Sequence, residues 1–119
     1  MTQPSFSPLT PAVFHILLAL SDGEQHGYRI MQLVELQSGG KLRMGPGTLY
    51  GSIKRMLEDG LIEEAPDYKK NPAEDERRRY YRLTEAGRRA LMAEAERISL
   101  LAGQLYSKRL INKPGEGLL

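Results

Sequence analysis

Residues 46–62 read PGTLYGSIKRMLEDGLI, which predicts a helix, a stop and the start of a strand. Pro46 suits a first helical position, because its missing N–H costs nothing there. The helix is expected to run to about Asp59, with Gly60 closing it. Successive helical residues turn by about 100°, so Leu49, Ile53, Met56 and Leu57 gather on one side. Gly47, Thr48, Gly51, Lys54 and Arg55 point broadly away from that side, and Tyr50 sits at its margin. The outward face is therefore small near the N-terminus and cationic further on. Glycine lets a helix approach DNA closely, the Thr48 and Tyr50 hydroxyls suit phosphates or base edges, and a helix N-terminus favours phosphate. Lys54 and Arg55 add cations for phosphate or guanine. Taken alone, the same segment also describes an ordinary amphipathic helix with Gly51 as a packing accommodation. The neighbouring segments decide between the two.

Downstream, Leu61-Ile62-Glu63-Glu64-Ala65 reads as a strand, and Pro66 to Glu76 is rich in proline, asparagine and charge, as a loop is. Tyr80-Tyr81-Arg82-Leu83 reads as the returning strand, with Tyr81 and Leu83 facing inward and Tyr80 and Arg82 outward. Lys69 and Lys70 lie near the tip of this hairpin, and Arg77, Arg78 and Arg79 on its return. Long cations on a hairpin can straddle a DNA backbone. The alternative is a solubilising hairpin in which Asp75 and Glu76 pair some of the arginines.

Upstream, Thr10-Pro11 reads as a helix cap followed by its first residue, and Val13, Ile16, Leu17 and Leu20 follow at helical spacing. A second helix is expected from His26-Gly27 through Ser38, stopped by Gly39-Gly40. Three helices followed by a two-stranded hairpin describe a winged helix-turn-helix. The fold class is α+β, mainly helical, with one more helix after the hairpin.

That last helix begins at Thr84-Glu85. Leu91, Ile98 and Leu105 recur every seven residues, and Ala95, Leu101 and Ala102 fill the adjacent stripe. A domain this small cannot cover the whole stripe, so the uncovered part is expected to pair with a second copy. The organisation read from the sequence is an arm at 1–9, a DNA-binding domain at 10–84, a dimerisation helix at 85–111 and a tail at 112–119.

The chain has 119 residues, 40% of them hydrophobic, which suits one globular domain. Its formal net charge is only +2, but unevenly placed. From Lys41 to Arg55 there are cations and no acid. From Arg77 to Arg89 there are Arg77, Arg78, Arg79, Arg82, Arg88 and Arg89 against Glu85 alone. Two basic blocks that meet on one face suit a polyanion. With no Cys, the sequence excludes disulfides and cysteine nucleophiles. His15 and His26 are not at ligand spacing, so no metal site is expected. Gly45-Pro46-Gly47 lacks the spacing of a phosphate-binding loop, and no catalytic constellation appears. No enzyme activity, cofactor, secretory signal or membrane span is expected, and the location is read as cytoplasmic.

Several strings together resemble the PadR family of transcriptional regulators. Leu9-Thr10-Pro11 with Ile16-Leu17-Leu18-Ala19-Leu20 is similar to its opening helix, and His26-Gly27-Tyr28-Arg29-Ile30 to the start of its second helix. Gly47-Thr48-Leu49-Tyr50 with Leu57-Glu58-Asp59-Gly60-Leu61-Ile62 resembles its recognition helix and first wing strand. Arg79-Tyr80-Tyr81-Arg82-Leu83-Thr84-Glu85-Ala86-Gly87 resembles its wing return and last helix. The resemblance covers about residues 9 to 91, and the order of the four motifs makes it specific. It implies a sequence-specific repressor in the short form with a single C-terminal helix, dimeric through that helix and released from duplex DNA by a small molecule. Some short members hold flat aromatic compounds between tryptophans at the dimer interface. This sequence has no Trp, which departs from that pattern and leaves Tyr106 as the aromatic candidate. The competing reading is a winged-helix module that contacts protein rather than DNA, and the acid-free stretch from Lys41 to Arg55 speaks against it.

Overall fold

The computed structural model describes residues 9–66 and 79–115. Lys69, Lys70, Arg77 and Arg78 lie outside the described residues. The elements run α1 (Pro11–Ala19), β1 (Gln25–His26), α2 (Gly27–Gln37), α3 (Pro46–Glu58), β2 (Ile62–Glu64), β3 (Tyr80–Leu83) and α4 (Glu85–Ser107).

Three of the four helices start where the sequence provides a side-chain cap. The Thr10 hydroxyl accepts the Val13 N–H at 3.2 Å, with Pro11 in the first turn. His26 takes the same role for α2: its Nδ1 accepts the Arg29 N–H at 3.2 Å. The Thr84 hydroxyl accepts the Gly87 N–H at 3.0 Å to open α4. Such caps satisfy N–H groups that a helix cannot pair internally. Gly60 ends the passage out of α3 at φ 76°, a region where a side chain would be strained.

The three helices of the N-terminal part pack around one core. Ile16, Leu17 and Leu20 of α1 and its C-terminal boundary meet Ile30 and Val34 of α2 and Leu49, Ile53 and Met56 of α3. Ile62, Tyr81 and Leu91 join from the strands and α4. The sequence periodicity therefore identified the inward side of α3 correctly. Each fully buried aliphatic side chain is worth about 1.5–3 kcal/mol relative to exposure.

The sheet has three antiparallel strands in the order β1-β3-β2. Only the outer hairpin was expected from sequence. The added strand is just Gln25 and His26, paired with Tyr81 and Tyr80. On the other side of β3, Ile62 faces Leu83, Glu63 faces Arg82 and Glu64 faces Tyr81. Tyr81 is buried as the alternation requires, while Tyr80 is half-buried rather than outward. The reason is β1: the Tyr80 ring meets the His26 ring edge-on, with centroids 5.4 Å apart.

Candidate nucleic-acid interface

The outward side of α3 is open. Gly47, Thr48, Tyr50, Gly51, Lys54 and Arg55 are all exposed. No side chain caps the α3 N-terminus, where Gly45 stands. A Cβ added at Gly47 or Gly51 would meet nothing within 4 Å, so neither glycine accommodates packing. The fold nevertheless tolerates them in a helix, where each costs about 0.5–1 kcal/mol relative to alanine. Lys54 and Arg55 form no ion pair among the described residues. Arg55 also lies in the last turn of α3, where a cation complements the helix dipole.

Tyr50 is the exception on this side. It is 42% exposed, yet its phenol lies directly over Gly27 at the start of α2. It is also close enough to Tyr81 to influence that phenol. Burial pushes the Tyr81 hydroxyl above its ordinary value, the Glu64 carboxylate and Tyr50 push the same way, and Arg79 opposes them. Tyr50 therefore joins α3 to α2.

The hairpin is electrostatically different. Arg79 NH1 lies 3.2 Å from Glu64 Oε2, and Arg82 Nε lies 2.8 Å from Glu63 Oε2. Arg89 lies 3.5 Å from Glu85. The sequence reading allowed for Asp75 and Glu76 as partners of the arginines, both outside the described residues. The partners seen for Arg79 and Arg82 sit on β2, across the strand pairing. Of the first basic block, Arg43 pairs with Glu35 at 3.2 Å.

The apolar stripe of α4 changes character along its length. Leu91 is buried against the domain. Further on, Ile98, Leu101 and Leu105 are exposed, Ala95 is exposed, and Ala102 is half-buried. Sequence reasoning missed Glu94, which is only 7% exposed and lies on this stripe. Arg97 donates to both of its oxygens, at 3.1 and 2.6 Å. That hydrogen bond holds the Glu94 carboxyl below its ordinary range, against desolvation, with a further contribution from the Leu9 backbone. The signal in the sequence was position: Glu94 falls three residues after Leu91 and four before Ile98, with Arg97 one turn on.

Among the described residues, no group of three or more His, Asp or Glu side chains is placed to hold a metal ion. No helix there is long and apolar enough to cross a membrane.

Three helices, a hairpin with a third short strand and a trailing helix define a winged-helix protein. A sequence profile of the "Transcriptional regulator PadR-like family" matches residues 16–93. The chain belongs to that family, whose members are transcriptional regulators rather than enzymes. Over 92 residues it is 38% identical to an "Uncharacterized 37.1 kDa protein in transposon TN4556" of Streptomyces fradiae, a match covering 76% of this chain and 24% of that protein. The chain thus spans about a quarter of that relative's length. It is 36% identical over 91 residues to the "Transcriptional regulator Rv3488" of Mycobacterium tuberculosis, covering 76% of this chain and 78% of that one. Two solved structures share the fold. A PadR family transcription regulator from Clostridium difficile R20291 has a TM-score of 0.67 at 22% identity, covering 86% of this chain and 100% of the other. Bacillus subtilis PadR in complex with operator DNA has a TM-score of 0.55 at 24% identity, covering 67% and 44%.

Proposed function

We propose that the chain binds duplex DNA sequence-specifically, as a homodimer, and regulates transcription from the sites it binds. The observation that carries this reading is the outward side of α3, which combines exposure, cations without an ion pair among the described residues, and two helical glycines that no described part of the fold requires. A surface that gives up helix stability for smoothness suits close approach by a groove. The protein of the same fold solved with operator DNA supports it. In this reading Gly47, Thr48, Tyr50 and Gly51 face base edges in the major groove, and Lys54 and Arg55 reach phosphates. Arg79, with Lys69, Lys70, Arg77 and Arg78, belongs to the hairpin that flanks them.

The test is selection from a random duplex pool followed by a salt titration. An enriched sequence is expected. Its affinity should fall about 10³-fold between 50 and 200 mM salt if about six phosphates are neutralised. No enrichment, or binding insensitive to salt, refutes the reading.

Dimerisation rests on the distal half of α4. Ile98, Leu101 and Leu105 continue the stripe of Leu91 beyond the domain that covers Leu91, and a second copy would cover them together with Ala95 and Ala102. Two recognition helices about one DNA turn apart then imply a pseudo-palindromic site. Changing Ile98 and Leu105 together to Glu should give a folded monomer with lost operator affinity. Sedimentation of the wild type as a monomer at tens of micromolar rules the dimer out. Repression relieved by a small molecule completes the proposal, with Tyr106 the aromatic side chain available near the paired helices. Added ligand that lowers operator affinity without unfolding the protein is its readout.

A further inference from the structure

The start of α2 and the recognition side of α3 meet at one point. Gly27 is buried, and the Tyr50 ring lies over it. A Cβ built at Gly27 would collide with the Tyr50 hydroxyl and stand only 2.7 Å from its Cζ and 2.9 Å from its Cε1. These three atoms of one ring are the nearest neighbours of that position. The Gly27 backbone has no positive φ, so the backbone does not demand glycine here. What stands nearest to a side chain there is the tyrosine ring.

We propose that Gly27 is a positioning residue for DNA recognition: by lacking a side chain it seats the Tyr50 phenol against α2 and fixes where that hydroxyl meets the duplex. The inference rests on the DNA-binding reading above and adds a residue with no place on the recognition side. The outer end of a tyrosine is the easiest part of it to displace. Alanine at this position therefore swings the ring outward and leaves the core, which lies on the other side of α3, unchanged. Gly27 receives the Tyr50 ring. A tyrosine seated in this way loses little freedom on binding, which is what makes a contact selective rather than merely adhesive.

The experiment is a double-mutant cycle of Gly27→Ala and Tyr50→Ala, read as discrimination. The probes are a duplex enriched by the wild type from a random pool, and the unselected pool. Gly27→Ala should cut the ratio of the two affinities about tenfold, the size of one base contact, while affinity for the unselected pool stays within about twofold. In the Tyr50→Ala background the same change should alter the ratio less than about twofold, since the group it acts through is gone. Equal losses in both backgrounds, or wild-type discrimination by Gly27→Ala, overturn the proposal. A second measurement needs no DNA. In protein labelled with 3-fluorotyrosine, the Tyr50 resonance is assigned through Tyr50→Phe, and Gly27→Ala should shift it beyond the other tyrosine signals. An unmoved resonance overturns the seating even if DNA binding fails altogether, so the two readings fail separately. If Gly27→Ala alone folds poorly, adding Tyr50→Ala opens the space and should restore the wild-type thermal transition. Failure of that rescue also overturns the proposal.

Discussion

The outward side of α3 and the hairpin arginines Arg79 and Arg82 are both basic in sequence and unlike in space. Lys54 and Arg55 share their side of the helix with glycines and form no ion pair among the described residues. Arg79 and Arg82 each lie against a glutamate of β2. A run of arginine in a sequence is therefore not a basic surface until its strand partners are known. Exposed pairs of this kind contribute about 0–1 kcal/mol, so they hold the hairpin arginines in place weakly while cancelling their field. The α3 cations remain available at no such cost.

The largest consequence falls on those cations. Lys54→Ala and Arg55→Ala together should lower affinity about 10²-fold near 0.1 M salt and flatten the slope of log affinity against log salt by about two. Arg79→Ala and Arg82→Ala together should do far less, about threefold. Similar losses from both pairs, measured by fluorescence anisotropy, erase the contrast.

Next comes the glycine on the same side. Gly51→Ala should weaken binding about tenfold while stabilising the fold by about 0.5–1 kcal/mol, which raises Tm by roughly 3–6 °C for a domain of this size. Opposite signs from one methyl group are the point of the measurement. A stabilised variant with unchanged affinity means that nothing approaches the helix there.

A smaller effect sharpens the other half of the contrast. Glu64→Gln frees Arg79 and should raise affinity for unselected duplex about twofold. No change, or a fall, means that the Arg79–Glu64 pair does not mask the arginine.

The smallest effect concerns the pair on α4, where the acid is buried instead of exposed. Arg97 lowers the Glu94 carboxyl relative to its ordinary value of about 4.3. The folded state then releases the proton more readily than the unfolded chain. Its stabilising contribution is complete above the unfolded value and disappears as pH falls through the lower, folded one. Urea melts from pH 7 down to 3 should therefore show wild type losing stability more steeply than Glu94→Gln at the acid end. Parallel profiles would remove the linkage.

These outcomes bear on what a single sequence makes legible. The inward side of α3, the two strands β2 and β3 and the seven-residue spacing of α4 follow from periodicity, because each is a property of one segment. The caps at Thr10 and Thr84 are equally local. The strand at Gln25 and His26 is two residues long and exists only because β3 lies alongside it, so no local pattern announces it. The pairing of Arg82 with Glu63 depends on strand register, and the seating of Tyr50 over Gly27 joins positions far apart in the chain. Glu94 is a middle case. Its place on the stripe was visible, but its burial follows from a bidentate partner one turn away, which allows a carboxylate where an aliphatic side chain is expected.

The junction between α3 and α4 has a mechanical consequence. The Thr84 hydroxyl donates to the Gly60 carbonyl at 2.6 Å, and the Thr84 N–H donates to the Leu61 carbonyl at 3.1 Å. Gly87 presses its bare α-carbon on that same Leu61 carbonyl, which backbone cannot yield to a larger residue. The end of α3 and the root of α4 are thus clamped into one rigid body. In the proposed dimer, about fourteen distal residues of α4 form a lever arm about 20 Å long. Tilting it by about 10° carries its far end through about 3.5 Å, close to the 3.4 Å rise of one base step. A small change in the crossing of two helices is thereby geared into a whole step of mismatch at the DNA.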